Sequence, residues 1–208
     1  MKKTLTVLMM VLLAAMLVIS CDNKAEEPKN DAKYKVGEKG PAGGVIFYVA
    51  DSEQTTTYYS ENLKWRYLEA APDDAPVGVD ANQFQWFTGE INQAPCNGDE
   101  GLGNGWTNTK HILSRDSTTS TSFPALQTCI DYGNGTDYDD WFMPSKGELD
   151  KMYENKYVLG TFQSGQYCSS STNGYGSVYS LNFNDGSKGY GGTYNSSYYV
   201  RPIRAFSD

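Results

Sequence analysis

The chain has 208 residues, and its 17 Lys and Arg stand against 25 Asp and Glu, which gives a formal net charge of −8 at pH 7. This length supports one domain with a substantial hydrophobic core and is short for two. The acidic balance argues against a general binder of nucleic acid or other polyanions, because such binding depends on basic surfaces.

The first 20 residues resemble an export signal. A basic start, MKK, precedes an apolar run over residues 7–19, which is shorter than the roughly 20 residues that span a bilayer. A signal peptide over residues 1–20 therefore fits better than a membrane helix. The segment VISC, which ends at Cys21, resembles a bacterial lipobox, in which the cysteine becomes the acylated first residue of the mature protein. The alternative is an ordinary signal peptide that leaves Cys21 as a plain thiol.

The segment after Cys21 reads DNKAEEPKNDAK, which is charged and polar and has no large apolar side chain. Such a segment cannot bury enough surface to fold. We therefore predict an acylated cysteine and a disordered tether over residues 21–33, followed by a single domain over residues 34–208. Without the signal, 15 basic and 25 acidic residues remain, a balance of −10. This layout predicts a protein held by lipid in the bacterial cell envelope, at the outer membrane or the cell surface.

Two strands are predicted at the start of the domain. Residues 45–49, VIFYV, are β-branched and aromatic and follow a glycine-proline turn, and LKWRYLEAAP forms a second strand that Pro72 ends. Residues 73–107 are rich in loop-forming residues. Their glycine cluster, NGDEGLGNGW, contains G-x-G-x-G but lacks a preceding strand and a following amphipathic helix. It therefore predicts a series of turns rather than a dinucleotide-binding loop.

Two short helices are predicted in the middle of the domain. In SFPALQTCIDYGNG, Leu126, Cys129 and Ile130 recur at helical spacing between a proline near the start and a glycine stop. The second helix lies in MPSKGELDKMYENKYVLG. Its Ser145 and Glu148 have the spacing of a capping box, in which each side chain accepts a hydrogen bond from a backbone N–H that the helix start leaves unpaired.

The end of the chain is predicted to be β-structure. In SVYSLNFNDGS, Tyr179, Leu181 and Phe183 alternate with polar residues, so these three side chains should face inward. YYVRPIRAF forms the last strand, where Pro202 implies a sheet edge or a bulge. The fold class predicted is α+β: a compact domain with two short helices, a small antiparallel sheet and long loop regions.

The ordered segments DWFMPSKGELDKMY, YCSSST, VYSLNFNDGS and YYVRPIRAF together resemble the Lcl C-terminal domain family. With VGEKGPAGGVIFYV and WRYLEAAP upstream, the resemblance covers residues 35–206. It implies a C-type-lectin-like or formylglycine-generating-enzyme-like fold, whose termini meet in a small sheet and whose ligand face is rich in loops. Members are typically exported or lipid-anchored surface proteins, some of them adhesins. The chain departs from the family at Cys168, where an aromatic residue is expected, and its acidic balance opposes binding of acidic glycans.

The segment over residues 169–199 has the composition of a recognition surface. Ser, Gly, Tyr, Asn and Thr supply 26 of its 31 residues, a bias shared with antibody paratopes, where tyrosine gives contact area and the small polar residues give hydrogen bonds. We predict that this face contacts an extracellular protein or glycan. The predicted ligand-binding residues, outward on the strand or on flanking loops, are Tyr175, Ser180, Asn182, Asn184, Tyr190, Tyr194, Asn195 and Tyr198. The alternatives are a Gly/Tyr-rich hairpin that covers its own core and, for function, a structural envelope lipoprotein without a specific ligand.

Arg201 and Arg204 in the closing motif suggest two roles, a ligand-facing basic pair or structural ion pairs. We favour ion pairs with an acid such as Asp140 or Glu148, because arginines that flank buried positions usually need a partner. Trp141, beside two aspartates, is predicted to belong to the core.

No enzyme signature is present in the sequence. His111 is the one histidine, and no G-x-S-x-G, H-E-x-x-H or G-x-x-x-x-G-K-[ST] motif occurs. Formylglycine-generating relatives use a cysteine pair, and Cys168 has no cysteine near it in sequence. We expect no catalytic role and no cofactor.

Acidic residues and cysteines give weaker signals. The run DYGNGTDYDDW carries four aspartates but lacks the EF-hand spacing, so a solvated acidic turn is favoured over a calcium site and no metal is predicted. If Cys21 is acylated, the odd set of Cys96, Cys129 and Cys168 remains. A Cys96–Cys129 disulfide with Cys168 as a buried thiol is the first choice among the pairings.

Overall fold

The structure is a computed structural model that describes residues 31–75, 83–88, 98–115, 123–173, 177–192 and 196–208. The predicted signal and most of the tether lie outside these ranges. So do Cys21, Cys96, Tyr175, Tyr194 and Asn195. The described part of the domain belongs to one compact unit, Ala32–Asp208. Within the described ranges, the helices are all too short or too polar to cross a bilayer.

The protein is an α+β structure, with helices and small antiparallel sheets in the described residues. The elements in chain order are β1 (Val45–Tyr58), β2 (Glu61–Ala70), β3 (Phe84–Gln85), α1 (Asn104–Arg115), α2 (Pro124–Asp131), α3 (Lys146–Glu154), β4 (Gln166–Thr172), β5 (Val178–Asn182), β6 (Lys188–Gly192), β7 (Ser197–Tyr198) and β8 (Ile203–Phe206). The strands form sheets in the orders β1-β2-β8, β4-β5-β6 and β3-β7.

The first sheet joins both ends of the domain. β1 and β2 form a long antiparallel hairpin, and β8 pairs with the other edge of β2. β8 is an edge strand that begins directly after Pro202, as the sequence predicts. β1 is longer than the predicted residues 45–49, because its polar continuation, ADSEQTTTY, still pairs with β2 as far as Tyr58 and Glu61. This second half of the hairpin is mostly exposed.

The second sheet confirms the predicted inward set at β5, although Ser180, which was predicted to face outward, is buried as well. Tyr179, Leu181 and Phe183 are all buried in the main core cluster. β6 lies inside a segment that the sequence predicts as loop. Its Tyr190 stands directly opposite Tyr179 in the ladder, and residues directly opposite each other share a face of the sheet. Tyr190 therefore points to the core side.

The two predicted helices are present as α2 and α3, and α1 is an additional helix that the sequence did not predict. Its sequence, NGWTNTKHILSR, is rich in residues of low helix propensity and follows a run of glycines. The capping box of α3 is confirmed: the Ser145 Oγ accepts from the backbone N–H of Glu148, and the Glu148 carboxylate accepts from the N–H of Ser145 at 2.6 Å.

The same carboxylate also holds the start of α1. Glu148 is fully buried, and it accepts hydrogen bonds from the backbone N–H groups of Gly103 at 2.8 Å and Gly105 at 3.2 Å. α1 and α3 therefore begin against one shared hydrogen-bond acceptor, which pairs backbone N–H groups at both helix N-termini. This contact explains how a weakly helical segment forms α1.

A second core cluster surrounds Trp86, which is fully buried and donates its indole N–H to the carbonyl of Ser169 at 3.1 Å. Cys129 and Cys168 lie in this cluster as free, buried thiols. The predicted Cys96–Cys129 disulfide is therefore not formed in this structure, whereas the prediction of Cys168 as a buried thiol is confirmed. Trp141 is buried, as predicted.

Candidate functional site

The C-terminal segment forms an open groove of about 520 Å³ on the second sheet. We call it the serine-glycine groove. Its lining combines β5 and β6 with the start of β4 and the segment around β7, and consists of Gln166, Ser180, Ser187, Lys188, Gly189, Gly191, Ser196, Ser197 and Tyr198. A volume of this size lies within the range of small-ligand sites.

The groove is open because the strands present small side chains there. Ser180 stands opposite Gly189 on β6 and Cys168 on β4 in the ladder. A Cβ atom built on Gly189 or on Gly191 would meet no atom of the described residues within 4 Å, its chain neighbours aside. The absence of side chains at Gly189 and Gly191 is therefore what leaves space above Ser180.

The lining is polar and nearly neutral. Its one lysine, Lys188, is already paired with Asp150, with 3.0 Å between Nζ and Oδ1. The Oε1 atom of Gln166 is buried and has no hydrogen-bond partner in the described residues.

The predicted ligand-binding residues divide into three groups. Ser180 and Tyr198 line the groove, but they lie at its base, 7% and 3% exposed. The expectation that these two side chains project outward is therefore wrong. Tyr198 is buried because β7 pairs it with Phe84 and packs it into the second core cluster, and burial raises the pKa of its phenol.

Asn182 and Asn184 lie at the end of the hairpin, outside the groove lining. Asn184 is exposed as predicted, whereas Asn182 is half-buried, and its Oδ1 accepts from the backbone N–H of Asn184 at 2.9 Å. This bond is typical of an Asx turn. The third group, Tyr175, Tyr194 and Asn195, lies outside the described residues.

Tyr190 is not the free outward ring that the sequence predicted. Its ring meets Tyr179 edge-on, with 5.4 Å between centroids, and its hydroxyl donates to Glu100. Hydrogen bonds from Lys146 and Tyr190 lower the pKa of Glu100, while burial and the bond to Glu100 raise the pKa of Tyr190. This tyrosine is therefore half-buried and tied to the loop before α1.

The two closing arginines are structural, as favoured from the sequence. Arg201 pairs with Asp74, with 2.7 Å between Nη2 and Oδ1, and Arg204 pairs with Asp140 and Glu69. Asp140 was correctly expected as a partner. The expectation that Glu148 pairs with an arginine is wrong, because its carboxylate accepts from backbone N–H groups instead.

The described acidic residues and the histidine have identifiable surroundings. They contain no group of three or more His, Cys, Asp and Glu side chains placed to hold a metal ion. In the acidic turn, the Asp131 carboxylate accepts from Gln127 and Asn134, and Asp140 is paired with Arg204. His111 lies beside a different hollow, between α1 and the β1–β2 hairpin.

No protein-family model matches the chain, and a search of curated proteins finds no match. Most of the groove residues that sequence reasoning missed belong to the segment singled out by composition. The missed residues are Gln166, Ser187, Lys188, Gly189, Gly191, Ser196 and Ser197. Only strand pairing distinguishes them from their neighbours, because it decides which side chain faces the groove.

Proposed function

We propose that the protein is a surface-displayed binding module without a catalytic role, and that the serine-glycine groove contacts an extracellular protein or glycan. The observation that carries this proposal is the open groove of about 520 Å³ on the second sheet, which serine hydroxyl groups and glycines line. Such a lining suits a neutral ligand that donates and accepts hydrogen bonds, because a charged ligand would find no unpaired charge of opposite sign among the lining residues described.

We further propose that the domain belongs to the Lcl C-terminal domain family and has a C-type-lectin-like fold. Two observations support this: the ordered sequence motifs over residues 35–206, and a sheet in which the first two strands and the last strand pair, so that the ends of the domain meet. The lipobox-like segment ending at Cys21 supports a lipid anchor in the bacterial cell envelope, at the outer membrane or the cell surface.

The groove is tested by filling it. Gly191→Leu adds a side chain where a Cβ meets no atom within 4 Å, so the variant should fold normally. We expect wild-type protein to bind at least one ligand on an array of glycans and extracellular proteins, and Gly191→Leu to bind it at least about tenfold more weakly. Gly98→Leu is the matched control, because its Cβ also meets open space and Gly98 is not part of the groove. Equal loss in both variants, or no loss in Gly191→Leu, would contradict the groove as the site.

A structural envelope lipoprotein without a specific ligand is the second candidate. The burial of Tyr198 and the bond from Tyr190 to Glu100 favour it, because these rings stabilise the domain itself. A wild-type protein that binds nothing on the array, yet whose deletion weakens the envelope, would support this candidate over the binding module.

A further inference from the structure

A second hollow, of about 500 Å³, lies between the far half of the β1–β2 hairpin and α1. We call it the hairpin cleft. It is made from other elements than the serine-glycine groove and shares no lining residue with it. Its floor includes Trp65, whose indole N–H donates to Thr56 Oγ1 at 3.0 Å, and Tyr59 stands at its rim.

Tyr59 has an unusual backbone and an unusual exposure. It is the one non-glycine residue with positive φ, +50°, among the residues the structure describes, and its side chain is 83% exposed. It sits in the two-residue turn between Tyr58 and Glu61, where asparagine or glycine is the usual choice. A bulky residue in this conformation costs conformational energy, and an exposed ring recovers little of it by packing.

The ring of Tyr59 is nevertheless held by a contact with its neighbour Tyr58. It meets Tyr58 edge-on with 4.7 Å between centroids. The hydroxyl of Tyr58 hydrogen-bonds with Ser114 Oγ on α1 at 2.9 Å. The hairpin tip is therefore held to the helix, and it presents an aromatic face that nothing described in the structure covers.

The chemistry of the lining is neutral and rich in hydroxyl groups. Thr55 to Thr57 of β1 and Thr107 of α1 are among the residues that line the cleft. Side chains alternate along a strand, so Thr56, whose Oγ1 accepts from Trp65, lies on the face of β1 opposite to Thr55 and Thr57. As far as the lining is described, it holds one carboxylate, Asp99, and neither lysine nor arginine. The nearby Lys110 is paired with Glu61 at 2.7 Å, and His111 is the one residue of the described lining that could become a cation, so the lining offers an anionic ligand neither a lysine nor an arginine.

We propose that the hairpin cleft binds a neutral saccharide, with the apolar face of one sugar ring on Tyr59 and its hydroxyl groups toward polar lining residues such as Gln54, Thr56 and Asn104. A saccharide combines a flat apolar face with many neutral donors and acceptors, which matches an exposed ring beside hydroxyl side chains. A protein partner fits less well, because protein interfaces spread over roughly 800 Å² on each side rather than entering one small hollow.

The test is the substitution Tyr59→Asn, which should keep or raise the stability of the domain and weaken its binding of saccharide. Asparagine tolerates positive φ, so the variant should unfold at the same or a higher urea concentration than wild type. Titration calorimetry of the full-length protein with neutral cello-, chito-, malto- and galacto-oligosaccharides should show binding by wild type and at least about a tenfold loss in Tyr59→Asn. A purely structural tyrosine would not give this combination.

Two controls keep the result specific. Tyr157→Asn removes a tyrosine that is 90% exposed but lies outside the cleft, and it should bind saccharide as wild type does. Gly191→Leu should also retain this binding, since the cleft and the groove are separate sites. The proposal is overturned if none of the saccharides binds at millimolar concentration, if Tyr59→Asn binds as wild type does, or if only Gly191→Leu loses binding.

Discussion

Glu148 shows how much one buried residue determines in this domain. Its carboxylate accepts from three backbone N–H groups, those of Gly103, Gly105 and Ser145, at the starts of two helices. Burial raises the pKa of Glu148 to about 7, while these donors act in the opposite direction. The net shift means that the native state holds the proton more tightly than the unfolded chain does.

We expect Glu148→Gln to lower the free energy of unfolding by about 2 kcal/mol at pH 4.5, because the amide nitrogen, unlike the hydroxyl oxygen of the protonated carboxyl, has no lone pair to accept from a backbone N–H. A raised native pKa stabilises the wild-type fold most below the unfolded pKa of about 4.3, and this contribution is lost as pH rises toward 7. The difference in the free energy of unfolding between wild type and Glu148→Gln should therefore decrease as the pH rises from 4.5 toward 7. Urea unfolding at pH 4.5, 6 and 7.5 measures it.

Glu154→Gln on the same helix is the control, since its pair with Lys151 is solvent-exposed. It should change the free energy of unfolding by no more than about 0.5 kcal/mol at any of these pH values. A difference for Glu148→Gln that widens with rising pH would show that the backbone donors outweigh burial.

At the scale of elements, a buried ion pair holds the segment that directly precedes β8. Arg201 is 1% exposed, and besides Asp74 it donates to the carbonyls of Leu159 at 3.1 Å and Thr161 at 2.6 Å. The other oxygen of Asp74 accepts from the hydroxyl of Tyr167 at 2.6 Å. This network joins the loop after α3, the segment before β3 and the last strand.

We expect Arg201→Met to lower the free energy of unfolding by about 3–5 kcal/mol, because it leaves Asp74 buried without its cation. Chemical denaturation followed by circular dichroism measures the change. Lys64→Met is the matched control: its pair with Glu53 is exposed, and its removal should cost no more than about 0.5 kcal/mol. Similar losses in the two variants would show that Arg201 is not a structural anchor.

At the scale of the whole molecule, the chain enters the domain beside its own end. The backbone N–H of Lys33 donates to the hydroxyl of Tyr67 at 2.8 Å, and that hydroxyl is 3.0 Å from an oxygen of Asp208. Tyr34 packs edge-on against Tyr67 and Phe206, with centroids 5.2 and 5.5 Å away. The point where the proposed tether meets the domain is therefore fixed to β2 and β8.

If Cys21 carries the lipid, Cys21→Ser should move the protein from the membrane fraction to the soluble fraction, because several acyl chains are what give stable attachment. Incorporation of labelled palmitate in a bacterial host measures the acylation, and fractionation of the cells measures the attachment to the membrane. Lys24→Ala keeps the cysteine and should label as wild type does. Labelled, membrane-bound Cys21→Ser protein would contradict the anchor.

Several features were predictable from sequence because neighbouring residues determine them. The capping box of Ser145 and Glu148, the helix that starts at Pro124 and the inward set of β5 depend on side chains a few positions apart. The α+β class follows from the same local signals. Composition also located the segment that supplies most of the serine-glycine groove.

Tertiary structure decided the orientation of the tyrosines and the shape of both candidate sites. Tyr198 is buried because it pairs with Phe84, and Tyr190 turns inward because it faces Tyr179 and bonds to Glu100, 90 positions away. α1 forms against the carboxylate of Glu148, which lies 43 positions from Gly105. Whether a side chain faces solvent depends on partners that the chain brings together only when it folds, so composition located the polar segment but not the surface it presents.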